Sequence, residues 1–94
     1  MNLKNLHTEN KAVQTSILSE PTEKVISLQI AAGEQLKEHS TKIPAVLVCV
    51  SGNAIYKDEN GTTIELKNGD YVHIKADVKH SVDAIAESNL LLIK

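Results

Sequence analysis

Gly33-Glu-Gln-Leu-Lys-Glu-His39-Ser-Thr41-Lys-Ile-Pro44-Ala45-Val-Leu-Val-Cys49-Val-Ser-Gly52 occupies the middle of the chain, and its two halves read differently. Gln35–His39 is short and mostly polar, and runs into a corner at Lys42–Pro44. Ala45–Val50 is continuously apolar and rich in Val. Lys42–Ser51 is apolar enough for a buried helix, but it is short, Val-rich and bounded by Pro44 and Gly52. Those features predict a strand buried on both faces. Side-chain alternation gives Ala45 and Cys49 the same face.

Outward from this stretch, short apolar segments alternate with turn residues. Val13–Leu18 ends at Ser19-Glu20-Pro21, and Lys24–Ala31 ends at Ala32-Gly33. Asn53–Asp58 turns at Asn60-Gly61 into Thr62–Leu66, which ends at Asn68-Gly69. Tyr71–Ile74, His80–Ala84 and Asn89–Ile93 follow. Short segments at this spacing, punctuated by Gly and Pro, predict a sandwich or barrel. Asn60-Gly61 is the sharpest local signal, because both residues tolerate positive φ between two strand-like runs. Met1–Lys11 is polar and reads as a flexible arm, with residues 12–94 forming one domain.

Composition supports β structure and narrows function. The 94 residues include ten Leu, nine Ile and eight Val, but no Phe or Trp. Branched aliphatics pack well on a pleated sheet. The net charge is -2, from ten Lys and no Arg against twelve acidic residues. Without Arg forks, and with only Tyr56 and Tyr71 as aromatic platforms, nucleic acid is not an expected partner. The lysines are scattered and no apolar run approaches the roughly 20 residues of a spanning helix, so no membrane role is expected. One cysteine and a polar start fit a reduced, cytoplasmic protein.

Spacing alone singles out no chemistry. His7, His39, His73 and His80 include no i, i+4 pair, and there is no Cys-x-x-Cys. Cys49 reads as a small buried filler. His73 alternates with Val72 and Ile74 and so is expected to point away from the interior. Lys75, Asp77 and Lys79 read as solvated loop charges.

The motifs carry a family resemblance. Gly33 to Gly52 resembles the first cupin motif: Gly, five residues, His-x-His, three or four residues, Glu, six residues, Gly. Gly69-Asp-Tyr-Val-His-Ile-Lys75-Ala-Asp77-Val-Lys-His80-Ser-Val-Asp-Ala84 resembles the second: Gly, five residues, Pro-x-Gly, two residues, His, three residues, Asn. The resemblance implies an all-β cupin-type jelly-roll barrel (a double-stranded β-helix) with a pocket between two facing sheets. It also implies a divalent ion held by two His and a Glu of the first motif and one His of the second. His39 and His80 fall on His positions. Thr41 stands at the second His, Ala45 at the Glu, Lys75 at the Pro, Asp77 at the second Gly and Ala84 at the Asn.

Two imidazoles fall short of the three protein ligands of a catalytic zinc site and of the two His and one carboxylate that hold non-haem iron. The expectation is therefore a small-molecule-binding protein with His39, Thr41, Ala45 and His80 in its pocket. His39 and His80 would be an incomplete metal site that holds Zn, Ni, Fe or Mn weakly at most. A metal-dependent oxygenase- or isomerase-type enzyme, its metal shell completed by substrate or solvent, is the alternative. A non-catalytic dimeric scaffold is the third reading. Limited core burial and unpaired strand edges make a homodimer the expected assembly.

Overall fold

The computed structural model describes residues 1–12, 14–20 and 23–94. Among the described residues eight strands form two four-stranded antiparallel sheets. The strands are β1 (Val25–Ile30), β2 (Gln35–His39), β3 (Ala45–Ser51), β4 (Ala54–Asp58), β5 (Thr63–Leu66), β6 (Tyr71–Ile74), β7 (His80–Ala84) and β8 (Ser88–Ile93). One sheet has the order β1-β8-β3-β6 and the other β2-β7-β4-β5. This is the jelly-roll arrangement that the motifs implied.

The inner faces meet in one aliphatic core. From the first sheet come Ala45, Leu47 and Cys49, with Val72, Ile74 and Leu90; from the second come Ala54, Tyr56, Leu66, Val82 and Ala84. Cys49 shares the inner face with Ala45, as its parity requires. Val46, Val48 and Tyr71 lie on the opposite face of the first sheet, in a second cluster with Leu3, Leu6, Leu18, Leu91 and Ile93. Chain from the N-terminal segment therefore covers this outer face. That is why Ala45 to Cys49 are all buried and the strand could not show period-2 alternation.

The polar start of the chain is laid against the β5–β6 turn. The backbone N–H of Leu3 donates to Gly69 C=O (2.8 Å), and that of Tyr71 donates to Met1 C=O (3.1 Å). The Asn2 side chain donates to the Asp70 carboxylate (3.0 Å) and the Asn68 carbonyl (3.1 Å). A single 3-10 turn, Leu3–Leu6, follows, with Asn2 as its cap. Of the segment expected at Val13–Leu18, only residues 14–18 are described, and they form no strand. Residues 14–18 carry no regular hydrogen-bonded structure, while Val13, and Pro21 of the turn after it, lie outside the described residues.

The hairpin between β4 and β5 forms where expected, with a different turn. Gly61 has φ +84°, but Asn60 does not take positive φ. Gly61 N–H donates to Asp58 C=O (3.2 Å) and Asp58 N–H to Thr62 C=O (3.0 Å). The loop is thus a turn closed by a left-handed glycine rather than a two-residue type I′ turn. Asp58 decides this. Its carboxylate accepts from the N–H groups of Asn60 (2.9 Å) and Thr62 (3.1 Å), an Asx-type cap that needs one extra residue.

Asp77 has φ +62°, the one non-glycine with positive φ among the described residues. It stands at the motif's second glycine, so the backbone keeps the left-handed shape after the glycine itself is gone. Its N–H donates to Thr41 C=O (2.7 Å), which ties the loop before β7 to the corner after β2. Asp77 is therefore a structural corner as well as a loop charge. Asp77→Gly should stabilise the fold by roughly 0.5–1 kcal/mol, because glycine enters this region without the Cβ penalty. Urea midpoints of parent and variant check this; a loss of stability would mean that the Asp77 side chain does something beyond tolerating its φ.

Candidate functional site

One end of the barrel gathers the polar residues of the second sheet's inner face. The register pairs His39 with His80 across β2–β7. It pairs His80 with Asp58 across β7–β4. Directly paired residues project to the same face, so the three form a row. His39 and His80, 41 positions apart in sequence, meet with ring centroids 4.4 Å apart and planes tilted by 57°. Tyr56 stacks on His80 from the other side at 5.9 Å. His80 is buried at 3% exposure, and His39 is half-buried.

The same device fixes both imidazoles. His39 Nδ1 lies 2.9 Å from the Lys37 carbonyl oxygen, and His80 Nδ1 lies 2.9 Å from that of Val78. A carbonyl only accepts, so each Nδ1 carries the hydrogen. In the neutral ring Nε2 then holds a lone pair for a ligand or an ion.

Asp58 and Tyr56 were not legible as site residues. Tyr56 is the largest fully buried side chain, and its hydroxyl donates to Asp58 Oδ2 (3.0 Å). Burial pushes the Tyr56 phenol well above its usual range, helped by this hydrogen bond and by the Asp58 charge. Desolvation pushes the Asp58 carboxyl up. The hydrogen bonds from Thr62 N–H, the Tyr56 hydroxyl, Asn60 N–H and the Thr62 side chain outweigh it and hold the carboxyl below its usual value.

A pH dependence follows from that direction. The folded pKa of Asp58 lies below its unfolded value, near about 3.9. Its contribution to stability is present above the unfolded value and is lost as pH falls through the folded one. Asp58→Asn should therefore flatten the acid limb of the stability curve below about pH 4 and leave the slope near pH 7 unchanged. Denaturant midpoints at both ends of that range are the check; identical acid limbs in parent and variant would show that the carboxylate contributes nothing.

The remaining expected residues are placed differently. The Thr41 hydroxyl donates to the Ile43 carbonyl (2.8 Å), which holds the corner between β2 and β3. Ala45 is 3% exposed in the core and brings no donor. Cys49 is fully buried; burial, and secondarily the Asp70 charge, push its thiol up. His73 is exposed between buried Val72 and Ile74, and its ring meets Tyr71 edge-on at 5.7 Å.

A cavity of about 310 Å³ opens beside the histidine row, between the edge strands β5 and β6. Its walls include Ile64, Val72 and Val78, with Asp58 and Thr62 at one side and His73 and Lys75 at the other. None of His39, Thr41, Ala45 or His80 lines it. The cavity thus shares no wall residue with the expected pocket, and of the histidine row it takes only Asp58.

The donor set does not fit a protein-held metal centre. Among the described residues, no group of three or more His, Cys, Asp or Glu side chains is placed to hold an ion.

A family model described as "Cupin domain" matches residues 26–93. None of the curated proteins matches the chain. Among solved structures, a cupin superfamily protein from Desulfitobacterium hafniense DCB-2 superposes with a TM-score of 0.67 at 20% identity, covering 100% of this chain and 97% of its own. A cupin-like protein from Thermotoga maritima gives 0.66 at 23% identity, over 74% of this chain and 55% of that one. The oxalate decarboxylase of Bacillus subtilis, a protein with Mn(II) centres, gives 0.67 at 19% identity over 73% of this chain. This chain spans 20% of that enzyme's length. Likeness at these identities is a likeness of fold.

Proposed function

This chain belongs to the cupin domain family, and from that premise we propose that it is a binding protein whose small-molecule ligand is held by His39 and His80. The observation that carries this reading is the pair itself. Two imidazoles meet at 4.4 Å, each with Nδ1 anchored on a carbonyl and Nε2 left available. Among the described residues no third His, Cys, Asp or Glu side chain joins the pair; in this reading the two Nε2 atoms accept from hydroxyl or amide donors of the ligand. In this reading Thr41 and Ala45 contribute shape to the pocket and no ligating atom.

A thermal-shift panel of small acids, sugars and nucleotides tests this. A ligand that binds only the folded state raises the melting temperature by mass action. The expected result is a hit whose shift is lost in His39→Gln, a half-buried position that tolerates the change. If no compound of the panel shifts the parent, or if His39→Gln leaves every shift intact, the reading fails.

A second reading is supported by the same free Nε2 atoms. In it Zn, Ni, Fe or Mn sits on His39 and His80 with substrate or solvent filling the shell, as in a metal-dependent oxygenase or isomerase. Elemental analysis separates the two. The binding reading expects well under one equivalent of metal per chain, whereas a stoichiometric, chelator-resistant ion favours the enzyme.

The proposal extends to assembly. Strands β1, β2, β5 and β6 are sheet edges, and edges invite pairing with a second copy. A homodimer scatters light as about twice the 10.2 kDa of one chain. A 10 kDa species at tens of micromolar rules it out.

A further inference from the structure

We propose that the cavity between β5 and β6 is a second binding site, and that it takes a short aliphatic zwitterion: a carboxylate at the β6 edge, an ammonium towards Asp58 and a hydrocarbon chain between. The site is separate from the histidine pair and does not depend on the reading above.

The backbone of β6 supplies the first half of the case. β6 pairs only with β3, so its other edge is open. Asp70 C=O accepts from Cys49 N–H on the β3 side (2.7 Å), and Tyr71 N–H donates outward to Met1 C=O (3.1 Å). Antiparallel ladders alternate residue by residue. His73, two positions on, therefore turns its N–H and C=O to the same open edge as Tyr71. The bridge between Asn2 and Asp70 and the bond to Met1 C=O lie along this edge. Among the described residues no backbone acceptor takes the His73 N–H there.

Charge supplies the second half. Lys75, two residues beyond His73, lines the cavity and makes no ion pair among the described residues. A backbone N–H and an ammonium side by side form a carboxylate site. At the opposite wall stands the Asp58 carboxylate, anionic and held by Tyr56, Asn60 and Thr62. Cation at one end and anion at the other select a ligand of the reverse polarity. Between them Ile64, Val72 and Val78 offer only hydrocarbon. A cavity of about 310 Å³ sits at the small end of ligand sites, which typically start near 300 Å³, and so suits a compact molecule.

Three probes of one length separate the contributions: 5-aminopentanoate, pentanoate and pentylamine. Titration followed by amide NMR reads both affinity and place. The expected order is 5-aminopentanoate first, in the millimolar range for so few atoms, with pentanoate and pentylamine each weaker by about tenfold. Shifts should centre on the His73 and Lys75 amides. Lys75→Gln, an exposed substitution that leaves the fold intact, should weaken 5-aminopentanoate by about tenfold and leave pentylamine unchanged. His39→Gln should change neither. The proposal is overturned by no saturable shift with any probe, by equal affinity of all three, by shifts centred on His39 and His80 instead, or by indifference to Lys75→Gln.

Discussion

Gly52→Ala should destabilise the protein by roughly 3–5 kcal/mol, from backbone strain plus overpacking. Gly52 has φ +117°, where side chains are strained. An added Cβ would also lie 2.5 Å from Ser88 Oγ, 2.6 Å from the Glu87 carbonyl oxygen and 2.7 Å from Ser88 Cα. Two of these three atoms are backbone and cannot rotate away. Ser88 is fully buried, accepts from Asn53 N–H (3.1 Å) and donates to Ala86 C=O (2.9 Å). The start of β8 would have to move, and β8 lies between β1 and β3. Against a net stability of about 5–15 kcal/mol, this threatens folding itself. Gly61→Ala is the control: φ there is +84°, but nothing lies within 4 Å of the added Cβ. Strain alone should cost about 1–2 kcal/mol. Chemical denaturation of the two variants distinguishes clash from strain, and equal losses would show that Ser88 gives way freely.

The second large effect is a gain. Thr41→His together with Ala45→Glu restores the residue types of the first motif around His39 and His80. The metal-free double variant should be less stable than the parent, since Ala45 is 3% exposed and a carboxylate there is buried. Zn or Ni should reverse the loss, because metal affinity is folding free energy and full ligation in structural sites amounts to about 10 kcal/mol or more. Affinity should rise by several orders of magnitude over the parent. Metal titrations read through the melting temperature decide the matter. If the parent already binds as tightly, the two-imidazole account of the site is wrong.

Most of the architecture was legible because its signals are local. β2, β6 and β7 lie where their apolar and turn residues placed them, and the other strands differ by a residue or two at their ends. The motif spacing of Gly33, His39, Gly52, Gly69 and His80 encodes the meeting of two histidines that no local pattern could suggest. Two features were hidden for physical reasons. The docking of Met1–Leu6 rests on single polar contacts of Asn2 and on Leu3 and Leu6, too few apolar residues to show a period. Asp58 and Tyr56 looked like an ordinary strand end before a turn. Their place beside His80 depends on the β4–β7 register, which pairs residues 22 positions or more apart. The cavity is likewise a product of two sheet edges, and edges are defined only once the strand order is known.

That strand order also governs how the chain can assemble in time. Among the described strands only β4 and β5 are hydrogen-bonded neighbours that follow each other in sequence. The hairpin around Gly61 can close on its own within microseconds. Every other pairing must first close a long loop, and barrels dominated by such contacts fold in about milliseconds to seconds. The first sheet is the extreme case. Its second strand, β8, is synthesised after the other seven, and until then β1 and β3 have no partner between them. On the ribosome, half of the barrel therefore waits for residues 88–93, with the Val-rich β3 unpaired on one side. Emergence of β8 is the event that closes the core, and the interval before it is when this barrel is most exposed to aggregation.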